Sequence, residues 1–305
     1  MPHVFGPVPS RRLGASLGID LVPYKTCSFD CVYCQLGRTT CLTIKRDAYI
    51  DAARVLHEIE VFLSENEAPD FLTLSGSGEP TLNSQSGDVI RGIKDFSDVP
   101  IAVLTNSSLM WKKEVQDDIA GSDLVVPSLD AGSERVFEQV NRPHSSLSLG
   151  RVVDGMRDFS SSFEGDIWLE VMLVSGMNDG DGELELISEA IAGIDPQKVQ
   201  LNTVIRPPSE SYARPISEER MGEISRMLGA EIIADFKSRR RGVSRDLEER
   251  LLSLLKRRPC TLRDISGAMG IHPNEAIKYL EKLVDAGKVQ VRDSGAETFY
   301  VHDSG

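Results

Sequence analysis

The chain lacks any apolar run approaching the roughly 18 residues of a membrane-spanning helix, so no membrane span is expected. Its opening residues, Met-Pro-His-Val-Phe-Gly-Pro, lack a basic stretch followed by an apolar one, so the sequence reads as cytoplasmic with no signal peptide. Positive charge is scarce: 34 Lys and Arg stand against 47 Asp and Glu, a formal net charge of −13. An acidic surface repels phosphate backbones at long range, which argues against a general nucleic-acid binder. Cysteine is scarce too, five in 305 residues, and three of the five fall within eight positions. That clustering excludes a scattered disulfide framework and favours a metal or redox site in a reducing compartment. Internal repeats and low-complexity segments are also lacking.

What is present is a globular composition, 40% apolar and 27% charged, at a length that fits about two domains. From about residue 16 to 230, β-rich runs alternate with longer segments of helical period. The expected strands are Leu17–Pro23, Phe71–Ser75, Ile101–Thr105, Leu124–Leu129, Ile167–Val174 and Val199–Val204, with helices near 47–63, 84–96, 111–120, 146–160, 181–193 and 217–229. Repeated β-then-α units imply parallel strands with right-handed crossovers, in either a doubly wound sheet or a full or partial barrel.

Composition shifts after residue 230. Phe236–Arg245 carries five positive charges in ten residues and reads as a solvated linker, with an anion contact as the alternative. Residues 246–305 read as a separate small domain of three helices and a β-hairpin, the order of a winged helix-turn-helix. Residues 244–305 carry ten basic and ten acidic side chains, and the third helix holds Glu275, Lys278, Glu281, Lys282 and Asp285, a net of −1. A DNA reader needs phosphate contacts and base-directed Arg, Lys, Asn or Gln. Protein or peptide contact therefore ranks above DNA for this module. The basic linker keeps tRNA open as a partner.

The strongest chemical signal is Cys27-Ser-Phe-Asp-Cys31-Val-Tyr-Cys34. Three thiolates in one loop can hold three corners of a cubane iron–sulfur cluster and leave the fourth iron open. A structural zinc site competes, because Cys41 could supply a fourth ligand. Cys41 otherwise reads as a structural thiol, and Cys260 as packed inside the small domain. Arg11 and Arg12, before the first strand, read either as surface ion pairs or as a substrate or anion contact. Lys25 and Arg38 carry the same ambiguity. Ser75-Gly-Ser-Gly-Glu-Pro-Thr81 is a glycine-rich strand end where a backbone can approach a ligand, or a plain turn. Asn106, Ser128, Asp130, Glu170, Met172 and, more weakly, Asn202 fall on successive strands, where polar residues at the C-terminal ends face a barrel's site. Asn106 and Asp130 could equally cap helices.

The cysteine spacing, with Tyr33 before the last cysteine, resembles the signature of the radical S-adenosylmethionine (SAM) superfamily. Ser75–Thr81 resembles that superfamily's Gly-Gly-Glu-Pro motif, with Ser77 standing where the first Gly is usual. Phe5–Gly14, Ile19–Cys27 and Gln35–Thr40 are similar to iron–sulfur oxidoreductases related to the tRNA wyosine-forming enzymes, over residues 3–215. The resemblance implies a partial (β/α)6 TIM-like barrel over residues 1–235, a linker at 236–245 and the winged helix at 246–305. It implies one [4Fe–4S] cluster on Cys27, Cys31 and Cys34. SAM would be held by Gly78, Glu79, Asn106, Ser128 and Asp130, and an external one-electron donor of ferredoxin or flavodoxin type would be needed. The expected activity is reductive SAM cleavage to a 5′-deoxyadenosyl radical that abstracts substrate hydrogen. No cysteine precedes Cys27, and two remaining thiols are too few for the second cluster of the wyosine enzymes. The alternatives are a metal-dependent winged-helix transcriptional regulator, a radical SAM tRNA-modifying enzyme of wyosine type, and a structural zinc protein.

Overall fold

Short runs of β-branched residues bounded by Gly, Pro and Asp become strands, and the amphipathic stretches between them become helices. The computed structural model describes residues 3–234, 245–294 and 297–303. The chain opens with β1 (Val4–Ser10) antiparallel to β2 (Gly14–Ile19), then β3 (Thr26–Cys27) and β4 (Cys41–Leu42), which pair with each other. There follow α1 (Ala52–Glu65), β5 (Phe71–Leu74), α2 (Ser86–Phe96), β6 (Ile101–Thr105), α3 (Lys113–Ile119), β7 (Leu124–Pro127), α4 (Glu134–Val140) and α5 (Leu149–Ser160). Next come β8 (Asp166–Leu173), α6 (Asp181–Ile194), β9 (Lys198–Thr203), α7 (Glu218–Leu228) and β10 (Glu231–Ile232).

These strands form one eight-stranded sheet in the order β1-β2-β5-β6-β7-β8-β9-β10. From β2 onward every neighbouring pair is parallel, so successive β/α units build a partial TIM-like barrel whose edge strands are β1 and β10. Local chemistry sets the helix limits: Asp51 accepts from the Arg54 amide to start α1, and Ser217 does the same for Arg220 at α7. Leu17, Ile19, Leu72, Leu74, Val103 and Val125 are fully buried in the main core.

The sheet departs from the sequence expectation at its edges. β2 begins three residues before Leu17 and ends at Ile19. β1 carries Pro7 and Pro9, which cannot donate to a ladder and read against a strand, yet Pro is tolerated in an edge strand, which β1 is. β10 is only two residues long and α4 only seven, too short for periodicity to reveal.

The C-terminal unit comprises α8 (Arg245–Arg257), β11 (Cys260–Thr261), α9 (Leu262–Met269), α10 (Pro273–Asp285), β12 (Val289–Ser294) and β13 (Glu297–His302). The three strands form a separate antiparallel sheet, β11-β13-β12. Thr261 and Asp264 make a capping box on α9, and Gly270 closes it at φ 69°. Leu251, Leu255, Cys260, Ile265, Ile277 and Leu280 form its own core, which Leu36 of the barrel joins. Of the basic run at 236–245, residues 236–244 lie outside the described residues.

Candidate active site

The Cys27–Cys34 loop leaves the barrel just after β2 and is held from three sides. Gly78, at the end of β5, packs so tightly on it that a Cβ there would stand 1.8 Å from Thr26 O, one residue before Cys27. Only a glycine fits this approach. Gly78→Ala is expected to force the backbone of Thr26–Cys27 aside and cost at least the ~1–3 kcal/mol of core overpacking, read by denaturant unfolding. Unchanged stability would contradict the packing. On the opposite side, Ser209 Oγ donates to the Cys31 and Val32 carbonyls. Arg142, at φ 45°, pairs with both Asp30 and Glu210. Arg38 is exposed and pairs with Glu210 at 2.9 Å.

Each of the three thiols has a donor aimed at it. Lys25 Nζ donates to Cys34 Sγ at 3.1 Å, Asn106 Nδ2 to Cys27 Sγ at 3.4 Å and Asn141 Nδ2 to Cys31 Sγ at 3.6 Å. Burial pushes the Cys27 thiol up to about 12, reinforced by Glu79, and burial likewise raises the Cys31 thiol, with Asp130 adding to the shift. Burial alone would lower the Lys25 ammonium, but the Cys34 and Cys27 sulfurs hold it above the ordinary lysine value. Sulfurs this buried deprotonate readily only beside strong positive charge, which a metal supplies. Among the described residues no three His, Cys, Asp or Glu side chains gather as a single-ion site. A cubane takes each thiolate on a separate iron. Three thiols in one loop, with hydrogen-bond donors on their sulfurs, fit such a cluster. Cys41, expected as a structural thiol or fourth ligand, is exposed. It registers against Thr26, and alternate strand residues face opposite sides, so it is turned from the face of Cys27. Cys260 is buried in the small unit, as read from the sequence.

The strand-end residues close a polar wall around this loop. Glu79 is buried and accepts from the Thr81 amide and hydroxyl, the Thr105 hydroxyl and the Asn106 amide, at 2.7–3.1 Å. It ties the end of β5 to the end of β6. Burial raises its carboxyl, against those hydrogen bonds. Asn106 also donates to Ser28 Oγ at 2.9 Å. Ser128 is half-buried and bridges to Glu170 through its backbone. Asp130 accepts from Tyr33 Oη at 2.5 Å, Asn141 Nδ2 at 2.7 Å and the Met172 amide at 2.9 Å. Burial pushes Asp130 up to about 6 against these three donors. Met172 contributes its backbone to this contact.

Arg12 and Arg11 reach into the barrel from the β1–β2 turn. Arg12 pairs with Glu170 at 2.7 Å, both side chains only 12–13% exposed, and also reaches Gln200. Asn202 donates to the other Glu170 oxygen at 2.9 Å. Burial raises Glu170, but Arg12 and Asn202 together hold it below the usual carboxylate range. Arg11 contacts Asn202 and the Ile233 carbonyl, so the turn bridges both sides of the open sheet.

The C-terminal unit docks on this same region. His272, the N-cap of α10, is buried and stacks on Phe5 of β1 with ring centroids 3.8 Å apart. Its Nδ1 accepts from the Asn274 amide, leaving Nε2 to donate to Asp20 Oδ2 at 2.7 Å. Asp20 also holds the Ser77 amide, and Asn274 Nδ2 donates to the Gly76 carbonyl. Sequence reasoning missed Asp20, Asn141 and His272, whose partners lie far away in the chain.

A family model for the radical SAM superfamily matches residues 21–185. The chain belongs to the radical SAM superfamily. Radical SAM proteins are enzymes that use a [4Fe–4S] cluster and SAM, with an external electron donor. A UPF0026 protein of Methanocaldococcus jannaschii is 34% identical over 99% of this chain and 96% of its own length. A UPF0026 protein of Helicobacter pylori J99 is 33% identical over 98% of this chain and 97% of its own. A Brachyspira hyodysenteriae protein named GTPase Obg is 35% identical over 94% of this chain, which spans only 43% of that protein's length. Among solved structures, a radical SAM methyltransferase from Sphaerobacter thermophilus has a TM-score of 0.55 at 18% identity, covering 72% of this chain and 65% of that one. Streptococcus suis SuiB bound to SAM has a TM-score of 0.52 at 11% identity, covering 71% of this chain and 50% of that one. These likenesses are of fold. Among the described residues no helix is long and apolar enough to cross a membrane.

Proposed function

We propose that this chain is a single-cluster radical SAM enzyme, with Cys27, Cys31 and Cys34 as ligands of three irons. The observation that carries the reading is the set of donors on the three sulfurs: Asn106, Asn141 and Lys25 each reach one. Hydrogen bonds to sulfur set the potential of an iron–sulfur centre and hold its ligands in place. When bound and reduced, the cluster supplies the electron that splits SAM into methionine and a 5′-deoxyadenosyl radical able to abstract substrate hydrogen. The chain's own residues position and shield that chemistry. Glu79 holds Thr105 and Asn106 so that the ends of β5 and β6 present backbone to the methionyl group. Ser128 and Asp130 line the ribose and carboxylate side. Asp130 also keeps Tyr33 fixed beside Cys34. The electron donor is of ferredoxin or flavodoxin type, and the setting is the cytoplasm.

We further infer that residues 246–305 are a winged helix used for protein contact. The helix a DNA reader would place in a groove, α10, is engaged by the barrel through His272, Asn274 and Glu281. That supports docking over DNA reading, and the superfamily match does not favour the regulator. Purification under anaerobic conditions tests the metal assignment. The expected result is iron and sulfide in the ratio of a [4Fe–4S] cluster. Zinc in place of iron would support the structural zinc reading instead.

A further inference from the structure

α10 presents a polar stripe to the barrel at helical spacing, Asn274, Lys278 and Glu281. Asn274 reaches Gly76 O, and Glu281 pairs with Arg206 at 3.1 Å and Arg11 at 3.8 Å. Arg206 in turn donates to Gln35, the residue after Cys34, at 2.6 Å. Three guanidiniums, Arg11, Arg12 and Arg206, therefore surround this seam between barrel and C-terminal unit, with side-chain exposures of 22%, 12% and 17%. Two carboxylates, Glu170 and Glu281, answer them.

Lys278 adds a fourth basic group. It is half-buried, and among the described residues no hydrogen bond or ion pair reaches its ammonium. Burial, then the charges of Arg206, Arg11 and Arg12, push it down to about 7, and Glu281 only partly offsets this. A desolvated cation among like charges is costly unless a counter-charge completes the site. In a chain of net charge −13, such a local excess of positive charge is out of keeping with the rest of the surface.

We propose that Arg11, Arg12, Arg206 and Lys278 form the recognition site for an anionic group, a phosphate or carboxylate, on a small-molecule substrate. Its role as a substrate site rests on the radical SAM reading above. Arg forks and a lysine point charge are suited to oxyanions. The site lies in the seam between α10 and the β1–β2 turn, and Arg206 links it to Gln35, next to Cys34. SAM is assigned to the ends of β5–β7, which border this seam at Gly76, bonded by Asn274, and at Ser128, bridged to Glu170.

The test is calorimetric titration of the reconstituted full-length protein with inorganic phosphate and with malonate. Saturable binding of one of them is expected, and the better probe names the group. Lys278→Gln should weaken it about tenfold or more, the loss of one charge-assisted hydrogen bond. Lys278→Arg should recover most of the affinity, and the exposed Lys256→Gln should leave it unchanged. Lys278→Gln should also melt no lower than the parent, since it removes a cation without a partner. A purely structural lysine would lower the melting temperature. Four results overturn the site: no binding of either probe, equal binding by Lys278→Gln, displacement of the probe by SAM, and displacement by tRNA. Release of 5′-deoxyadenosine, assayed on the same preparation, decides the radical reading separately, so the two failures are distinguishable.

Discussion

Cys31→Ala is expected to leave the protein folded and without its cluster. The sulfur of Cys31 lies in a loop pinned by Ser209, Arg142 and Gly78, none of which depends on it. Losing one half-buried sulfur should therefore cost the cluster-free protein only about 1 kcal/mol. A cubane with two remaining cysteine ligands has two uncoordinated corners, so iron content after reconstitution should fall to background. SAM cleavage should fall with it. Iron analysis, visible absorbance and an unfolding curve on the same sample separate these effects. A variant that keeps iron and activity would remove Cys31 from the ligand set. Cys41→Ala is the contrasting case, because that exposed thiol faces away from Cys27, and its iron content should match the parent's.

Arg12→Met is expected to give the largest loss of stability. Arg12 and Glu170 form an ion pair with both side chains at most 13% exposed. Removing one partner leaves the other buried without a counter-charge, which costs about 3–5 kcal/mol. For a unit of this size the melting temperature should fall on the order of 10 °C at neutral pH. The sign with pH follows from Glu170. Burial pushes its carboxyl up, but Arg12, with Asn202, brings it below the ordinary glutamate value. Its stabilisation is complete above the unfolded glutamate pKa and is lost as pH falls through the lowered folded value. The gap between parent and Arg12→Met should therefore narrow in acid. A gap that stays constant from pH 7 down to acid would show that packing, not the ion pair, carries the loss.

Local signals made much of this molecule legible from sequence. The six parallel strands from β2 to β9 follow runs such as Ile101–Thr105, whose short apolar, β-branched character is visible in a short window. The cysteine loop and the glycine-rich end of β5 are equally local, and their family resemblance is matched by the superfamily model over residues 21–185. What stayed hidden is contact across distance. Asp20 and His272 are 252 positions apart, and Tyr33 and Asp130 are 97 apart. No periodicity records such pairings. β1 stayed hidden because Pro7 and Pro9 read as breakers, although an edge strand tolerates them. The Arg11 and Arg12 ambiguity had a local cause as well, since their partner Glu170 lies in a strand whose inward face the sequence alone does not orient. The stripe of Asn274, Lys278 and Glu281 was readable at helical spacing, but what it faces was not. The neutral charge of the small unit pointed away from DNA, and α10 packed against β1 is the structural counterpart.

Reductive cleavage of SAM, supported by this chain's own residues, is the activity on which the radical SAM reading stands. It is tested most directly by anaerobic reconstitution of the full chain, followed by dithionite and SAM, with 5′-deoxyadenosine measured by chromatography. The expected result is release that needs both reductant and SAM and is lost in Cys31→Ala. A folded, cluster-bearing protein that releases no 5′-deoxyadenosine would contradict it.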